Sequence, residues 1–91
     1  MTPDDIKLRI RRALPDAEVS VTDTTGGGDH FSATVVSAAF AELGPVDRHR
    51  LVYAALGEVM RGTNAPIHAL ALNTETPQEA RRKTDANRSR P

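Results

Sequence analysis

Pro45 to Met60, PVDRHRLVYAALGEVM, is the longest stretch of the chain with one clear period. Val52, Ala55, Leu56, Val59 and Met60 recur at i, i+3, i+4, i+7 and i+8, which puts them on a single helical stripe. Gly44-Pro45 supplies the start, because proline at the first helical position gives up no hydrogen bond. Asp47 lies in the first turn, where a negative charge meets the positive end of the helix dipole. Gly62, Asn64 and Pro66 supply the stop. The spacing therefore predicts a helix over 45–60, and the remaining short elements have little else to pack on.

Upstream, Thr2-Pro3-Asp4-Asp5 reads as a capped helix start, with Thr2 as the cap and Asp5 three residues on. Ile6, Ile10, Ala13 and Leu14 form its stripe, Lys7, Arg9, Arg11 and Arg12 lie mostly on the other side, and Pro15 ends it. The basic face reads as a solvated face, since no aromatics interleave with the charges. Residues 17–24 alternate, with Val19 and Val21 against Ser20 and Thr22, as a half-buried strand does. Thr25-Gly26-Gly27-Gly28-Asp29 follows as a flexible hairpin loop. It is not a phosphate loop, which would need a helix after it where this chain has a second strand, His30 to Ser37. In that strand Phe31, Ala33 and Val35 alternate with Ser32, Thr34 and Val36. Residues 37–43 make a short helical turn that carries Phe40 inward. Beyond the central helix, Ile67 to Asn73 reads as the third strand, and Thr76-Pro77-Gln78-Glu79 opens another helix of two or three turns. This order gives a two-layer α+β domain. The helical link between the second and third strands suits a crossover to a parallel neighbour.

Ninety-one residues make one small domain, and with Phe31, Phe40 and Tyr53 as the only aromatics its core is mostly aliphatic. There is no cysteine, which excludes disulfides and Cys-ligated zinc. The net charge is zero but uneven: residues 81–91 carry five basic residues against Asp85, leaving +4 there and −4 over residues 1–80. The expected organisation is a folded unit over 1–80 and a basic, disordered tail over 81–91. An acidic body is a poor match for nucleic acid, whose binding rests on phosphate neutralisation. The opening Met-Thr-Pro-Asp-Asp is acidic and no apolar run approaches membrane length, so the expectation is a soluble, cytoplasmic protein away from membranes, monomeric on its own.

Without cysteine, candidate chemistry falls on His30, His49 and His68. No Ser/His/acid set, no His-x-x-x-His and no spaced carboxylate pair is visible, so an enzyme is not expected. His49, at the edge of the central stripe, reads as a half-buried histidine with hydrogen-bonded ring nitrogens. His68 reads as a strand-edge histidine with its polar tip in water, and His30 as an exposed residue beside the glycine loop. Two histidines at strand or loop ends could also share a soft metal or cluster with a partner's ligands.

Asp29-His30-Phe31, Val35-Val36-Ser37, Phe40, Arg48-His49-Arg50-Leu51-Val52-Tyr53, Leu56, Ile67-His68-Ala69-Leu70 and Thr76-Pro77 closely resemble the BolA family. The resemblance covers about residues 2–80, and the chain looks like the short BolA-like subgroup that includes IbaG. It implies a class II KH-like fold, a three-stranded mixed sheet packed on helices in the order α-β-β-α-α-β. It also implies partnership with a monothiol glutaredoxin, a shared [2Fe-2S] cluster, and work in cluster trafficking or iron sensing. The glutaredoxin and its glutathione would supply thiolates, and the isolated protein would hold no cofactor. The family's cluster-ligand histidine falls on His68, and a neutral imidazole can ligate iron, as in Rieske centres. The family's second ligand, a Cys or His in the first hairpin loop, is missing. Gly27 stands about where short members carry Cys, and His30 is the nearest substitute. Glu42 and Leu43 replace a common Gly-Lys pair, and no GxxG loop of the kind that grips nucleic acid is present. Arg48 and Arg50 are candidates for a partner-facing rim. Three readings follow: a glutaredoxin-binding cluster adaptor, a DNA-binding transcriptional regulator, and an interaction module with no cluster.

Overall fold

A computed structural model of the protein describes residues 1–61 and 64–88. Gly62, expected to help end the central helix, and residues 89–91 of the expected tail lie outside these.

Helix α1 (Pro3–Ala13) opens with a reciprocal cap: Thr2 Oγ1 accepts from the Asp5 amide at 3.2 Å, and Asp5 Oδ2 accepts from the Thr2 amide at 3.0 Å. Ile6, Ile10 and Leu14 are buried as their spacing requires, while Ala13, at the last helical residue, is exposed. Strands β1 (Glu18–Asp23) and β2 (His30–Val36) pair antiparallel. A single 3-10 turn, Ala38–Phe40, follows and drops Phe40 into the core. Asp16 pins its start, accepting from Ser37 Oγ and the Ala38 amide at 2.8 Å each.

Helix α2 (Pro45–Leu56) is shorter than the spacing predicts. Gly57 takes a φ of +57°, a left-handed conformation open to glycine and closed to a continuing α-helix, and residues 57–60 tighten into a 3-10 turn. The apolar stripe crosses this break, with Val52, Leu56 and Val59 buried and Met60 packed beside them. Strand β3 (Ala69–Glu75) starts two residues later than expected. Ile67 donates to the Val59 carbonyl at 3.0 Å, so it is fastened to the end of the helical segment before the sheet begins.

The sheet order is β1-β2-β3, with β3 parallel to β2 as the helical link suggested. Phe31, Ala33 and Val35 of β2 alternate inward beside Val19 of β1. With Leu70 and Leu72 they meet Ile6, Ile10, Val52 and Leu56 from the helices. The result is the expected two-layer α+β domain with a mixed three-stranded sheet.

Helix α3 (Pro77–Arg88) carries the fold past the boundary expected at residue 80. Glu79 Oε1 accepts from the Thr76 amide at 2.7 Å, Thr76 Oγ1 accepts from the Glu79 amide at 3.2 Å, and Lys83 donates to Glu75 at 2.7 Å. Residues 81–88 continue this helix, whose first turns the cap and Lys83 fasten to the end of β3. Among the described residues, no helix is long and apolar enough to cross a membrane.

Candidate functional site

The parallel register sets His30 of β2 opposite Ala69 of β3, so the entrances of both strands lie side by side. The Asp29 carbonyl accepts from the His68 amide at 2.8 Å and the Ala69 amide at 3.3 Å. Residues 29, 30 and 68 are thereby gathered at one edge of the sheet. The His30 and His68 rings meet edge to face, with centroids 6.1 Å apart. Their side chains remain 44% and 55% exposed, so both can be reached from outside.

Between them sits a group given no role in the sequence reading, the carboxylate of Asp29. Its Oδ1 is hydrogen-bonded to His30 Nδ1 at 2.9 Å, and its Oδ2 lies 3.3 Å from His68 Nδ1. The hydrogen bond with His30 is the main cause of an Asp29 pKa below the ordinary carboxylate value; both imidazoles add to it and partial desolvation opposes it. In the sequence Asp29 stands at the end of the glycine loop, immediately before His30, and within the Asp29-His30-Phe31 block of the family resemblance.

The loop is held in place by its own acid. Asp23 accepts from the amides of Gly26 at 2.8 Å, Gly28 at 2.9 Å and Thr25 at 3.2 Å. Desolvation pushes the Asp23 carboxyl up, but these three bonds outweigh it and leave the group lowered. A loop read as flexible is thus folded around Asp23. Position 27 borders the site: a Cβ there would lie 3.2 Å from Asp29 Oδ1 and 3.4 Å from Thr25 Oγ1. Position 27, where the resemblance led a cysteine to be expected, therefore opens onto the same carboxylate.

The other candidates lie elsewhere. His49 is half-buried and packs edge to face on Tyr53, centroids 6.2 Å apart. Arg48, expected on a partner-facing rim, has its guanidinium turned into the fold. Only 15% exposed, it donates from Nε to the Leu43 carbonyl at 2.8 Å and from Nη1 to Glu79 at 2.7 Å and the Thr74 carbonyl at 3.4 Å. Its guanidinium faces inward because the bend before α2, the end of β3 and the start of α3 all present acceptors to it. Arg50 does face solvent, 77% exposed with Asp47 at 3.7 Å. It lines a shallow groove of about 420 Å³ with Tyr53, Ala54, Gly57, Met60 and Arg61.

Among the described residues, no three His, Asp or Glu side chains form a group able to hold a metal ion. What the edge offers is two adjacent, solvent-reachable imidazoles with a carboxylate behind them. Such an arrangement can contribute nitrogen ligands to a centre completed by another molecule.

A family model described as BolA-like protein matches residues 6–79. BolA-like protein 1 of Homo sapiens is 36% identical over 93 residues, covering 94% of this chain and 66% of its own length. The chain spans less than two thirds of the length of the curated BolA-like protein 1 relatives it matches. The DNA-binding transcriptional regulator BolA of Vibrio cholerae is 50% identical over 54 residues, 59% of this chain and 48% of the relative. Among solved structures, a bolA protein homologue from Coxiella burnetii superposes with a TM-score of 0.74 at 41% identity, covering 89% of this chain and 97% of that one.

Proposed function

This chain belongs to the BolA-like protein family, and on that premise we propose that it is a non-enzymatic adaptor that binds a monothiol glutaredoxin and takes part in [2Fe-2S] cluster trafficking or iron sensing. The observation that carries this reading is the pairing of His68 with His30 at one exposed sheet edge. Neutral imidazole is an established ligand for such clusters, and the donor set here fits one half of a site. Two imidazoles cannot hold a cluster alone, and the chain has no cysteine. The remaining ligands would come from the thiolates of the glutaredoxin and its glutathione. His68 is the primary ligand on this reading and His30 the second, standing in for the ligand that the glycine loop lacks. When bound, the cluster supplies the redox and transfer chemistry; this chain contributes its nitrogen ligands and the surface that docks the partner.

The test is anaerobic reconstitution of the full chain with a monothiol glutaredoxin, glutathione, iron and sulfide, followed by isolation of the complex. A coloured complex with the visible absorption of a [2Fe-2S] centre is expected, and His68→Ala should bleach it or make it lose iron faster. Unchanged spectra and lifetimes in His68→Ala would remove the ligand assignment.

A second reading, a DNA-binding regulator, is favoured by the similarity to the Vibrio cholerae regulator over 54 residues and by the exposed Lys7, Arg9, Arg11 and Arg12 on α1. It predicts binding to duplex DNA with a steep salt dependence that survives removal of residues 81–91. The absence of any mobility shift at low salt would eliminate it.

A further inference from the structure

We infer that Asp29 is the positioning residue of the histidine edge: it directs both Nδ1 atoms inward so that His68 and His30 present Nε2 to an incoming centre. This rests on the adaptor reading for its purpose but not for its chemistry, which is a property of the free protein. An ionised carboxylate is only an acceptor. The 2.9 Å bond to His30 Nδ1 therefore needs the proton on that nitrogen, and the neutral ring is left with its lone pair on Nε2. The second oxygen lies 3.3 Å from His68 Nδ1, an ion-pair contact without hydrogen-bond geometry, and its charge favours a proton on that nitrogen too. One carboxylate thus acts on two rings brought from strands far apart in sequence. Metal-binding histidines commonly carry such a partner on the nitrogen away from the metal, where it fixes tautomer and ring orientation.

Asp29 holds His68 twice, since its backbone carbonyl also accepts the His68 amide at 2.8 Å. Side-chain removal leaves that backbone anchor in place, so Asp29→Ala keeps the strand entrance while losing the carboxylate. The space beside Gly27 gives a further constraint. A side chain at 27 would crowd Asp29 Oδ1, so the bare glycine leaves the carboxylate free to reach His30.

The experiment reads histidine tautomers in the free, full-length protein by long-range proton–nitrogen NMR at about pH 8. Both His30 and His68 are expected to be mainly Nδ1-protonated, and Asp29→Ala should move His30 most strongly, and His68 with it, toward the Nε2-protonated form. Asp29→Asn, whose amide keeps one acceptor oxygen, should fall between. The backbone amide spectrum reports whether each variant is folded. In the glutaredoxin complex, Asp29→Ala should weaken cluster retention against a chelator by about 10–100-fold, the usual effect on metal affinity of losing such a partner. An Nε2-protonated His30 in the wild type, or tautomers unmoved in the folded Asp29→Ala, overturns the inference. So does a longer-lived cluster in that variant, which would make Asp29 a block on the ligand nitrogens. Tautomers that shift as expected while His68→Ala leaves the complex unchanged would sustain Asp29's role and remove the cluster-ligand reading.

Discussion

Arg48 and Arg50 stand two residues apart on α2 and do opposite things. Arg48 joins three parts of the fold through Leu43, Thr74 and Glu79. Arg48→Ala should cost about 1–3 kcal/mol of stability, measured by urea unfolding, because it strands a carboxylate and carbonyls that were bonded to a charged group. Arg50 is solvent-facing, so Arg50→Glu should leave stability within about 0.5 kcal/mol while lowering glutaredoxin affinity through the groove it lines. Affinity unchanged on charge reversal would take Arg50 off the interface. The sequence offered no way to separate the two arginines, since Arg48's acceptors at Thr74 and Glu79 lie 26 and 31 residues away. Asp29 was hidden for the same reason: its neighbour His30 is adjacent in sequence, but its second contact, His68, arrives only through the sheet register.

At the scale of elements, the period of residues 45–60 identified the stripe correctly and the helix length incorrectly. Side-chain spacing reports which residues face the core, whereas the end of an α-helix is set by backbone conformation at Gly57. A Cβ at Gly57 would meet nothing within 4 Å, so Gly57→Ala should lose only the conformational term, about 1 kcal/mol by thermal unfolding. No change would contradict the role given to its positive φ. Glu42, also left-handed at φ +68°, holds a backbone conformation that favours glycine. Glu42→Gly should be neutral or stabilising by at most about 1 kcal/mol, because relief of the strained conformation is offset by a freer unfolded chain. The helical link between β2 and β3 made parallel pairing legible, and parallel pairing is what creates the site. Antiparallel strands of seven residues would have put His30 and His68 about 20 Å apart. The register that brings them into contact was not legible, since it depends on where Ile67 leaves the helical segment.

For the whole molecule, the two-layer fold is held at its C-terminal side by a carboxylate network. Glu79 is lowered to about 2, first by the Thr76 amide and then by Arg48, and Glu75 is lowered mainly by Lys83. Carboxyls depressed in the folded state favour folding above their unfolded pKa and lose that contribution as pH falls through the folded value. Stability from Glu79 is thus complete above about pH 4.5 and is lost progressively toward pH 2. The thermal midpoint should fall across that window, and Glu79→Gln should make the acid limb shallower; an identical limb in the variant would contradict the assignment. At the other end of the sheet, away from this network, the strand entrances carry the proposed function. The most direct test of that function is the visible spectrum of the anaerobically reconstituted complex with a monothiol glutaredoxin, wild type beside His68→Ala. The adaptor function predicts a coloured wild-type complex whose [2Fe-2S] absorption is lost or short-lived in the variant. Equal colour and equal lifetime in the two would contradict it.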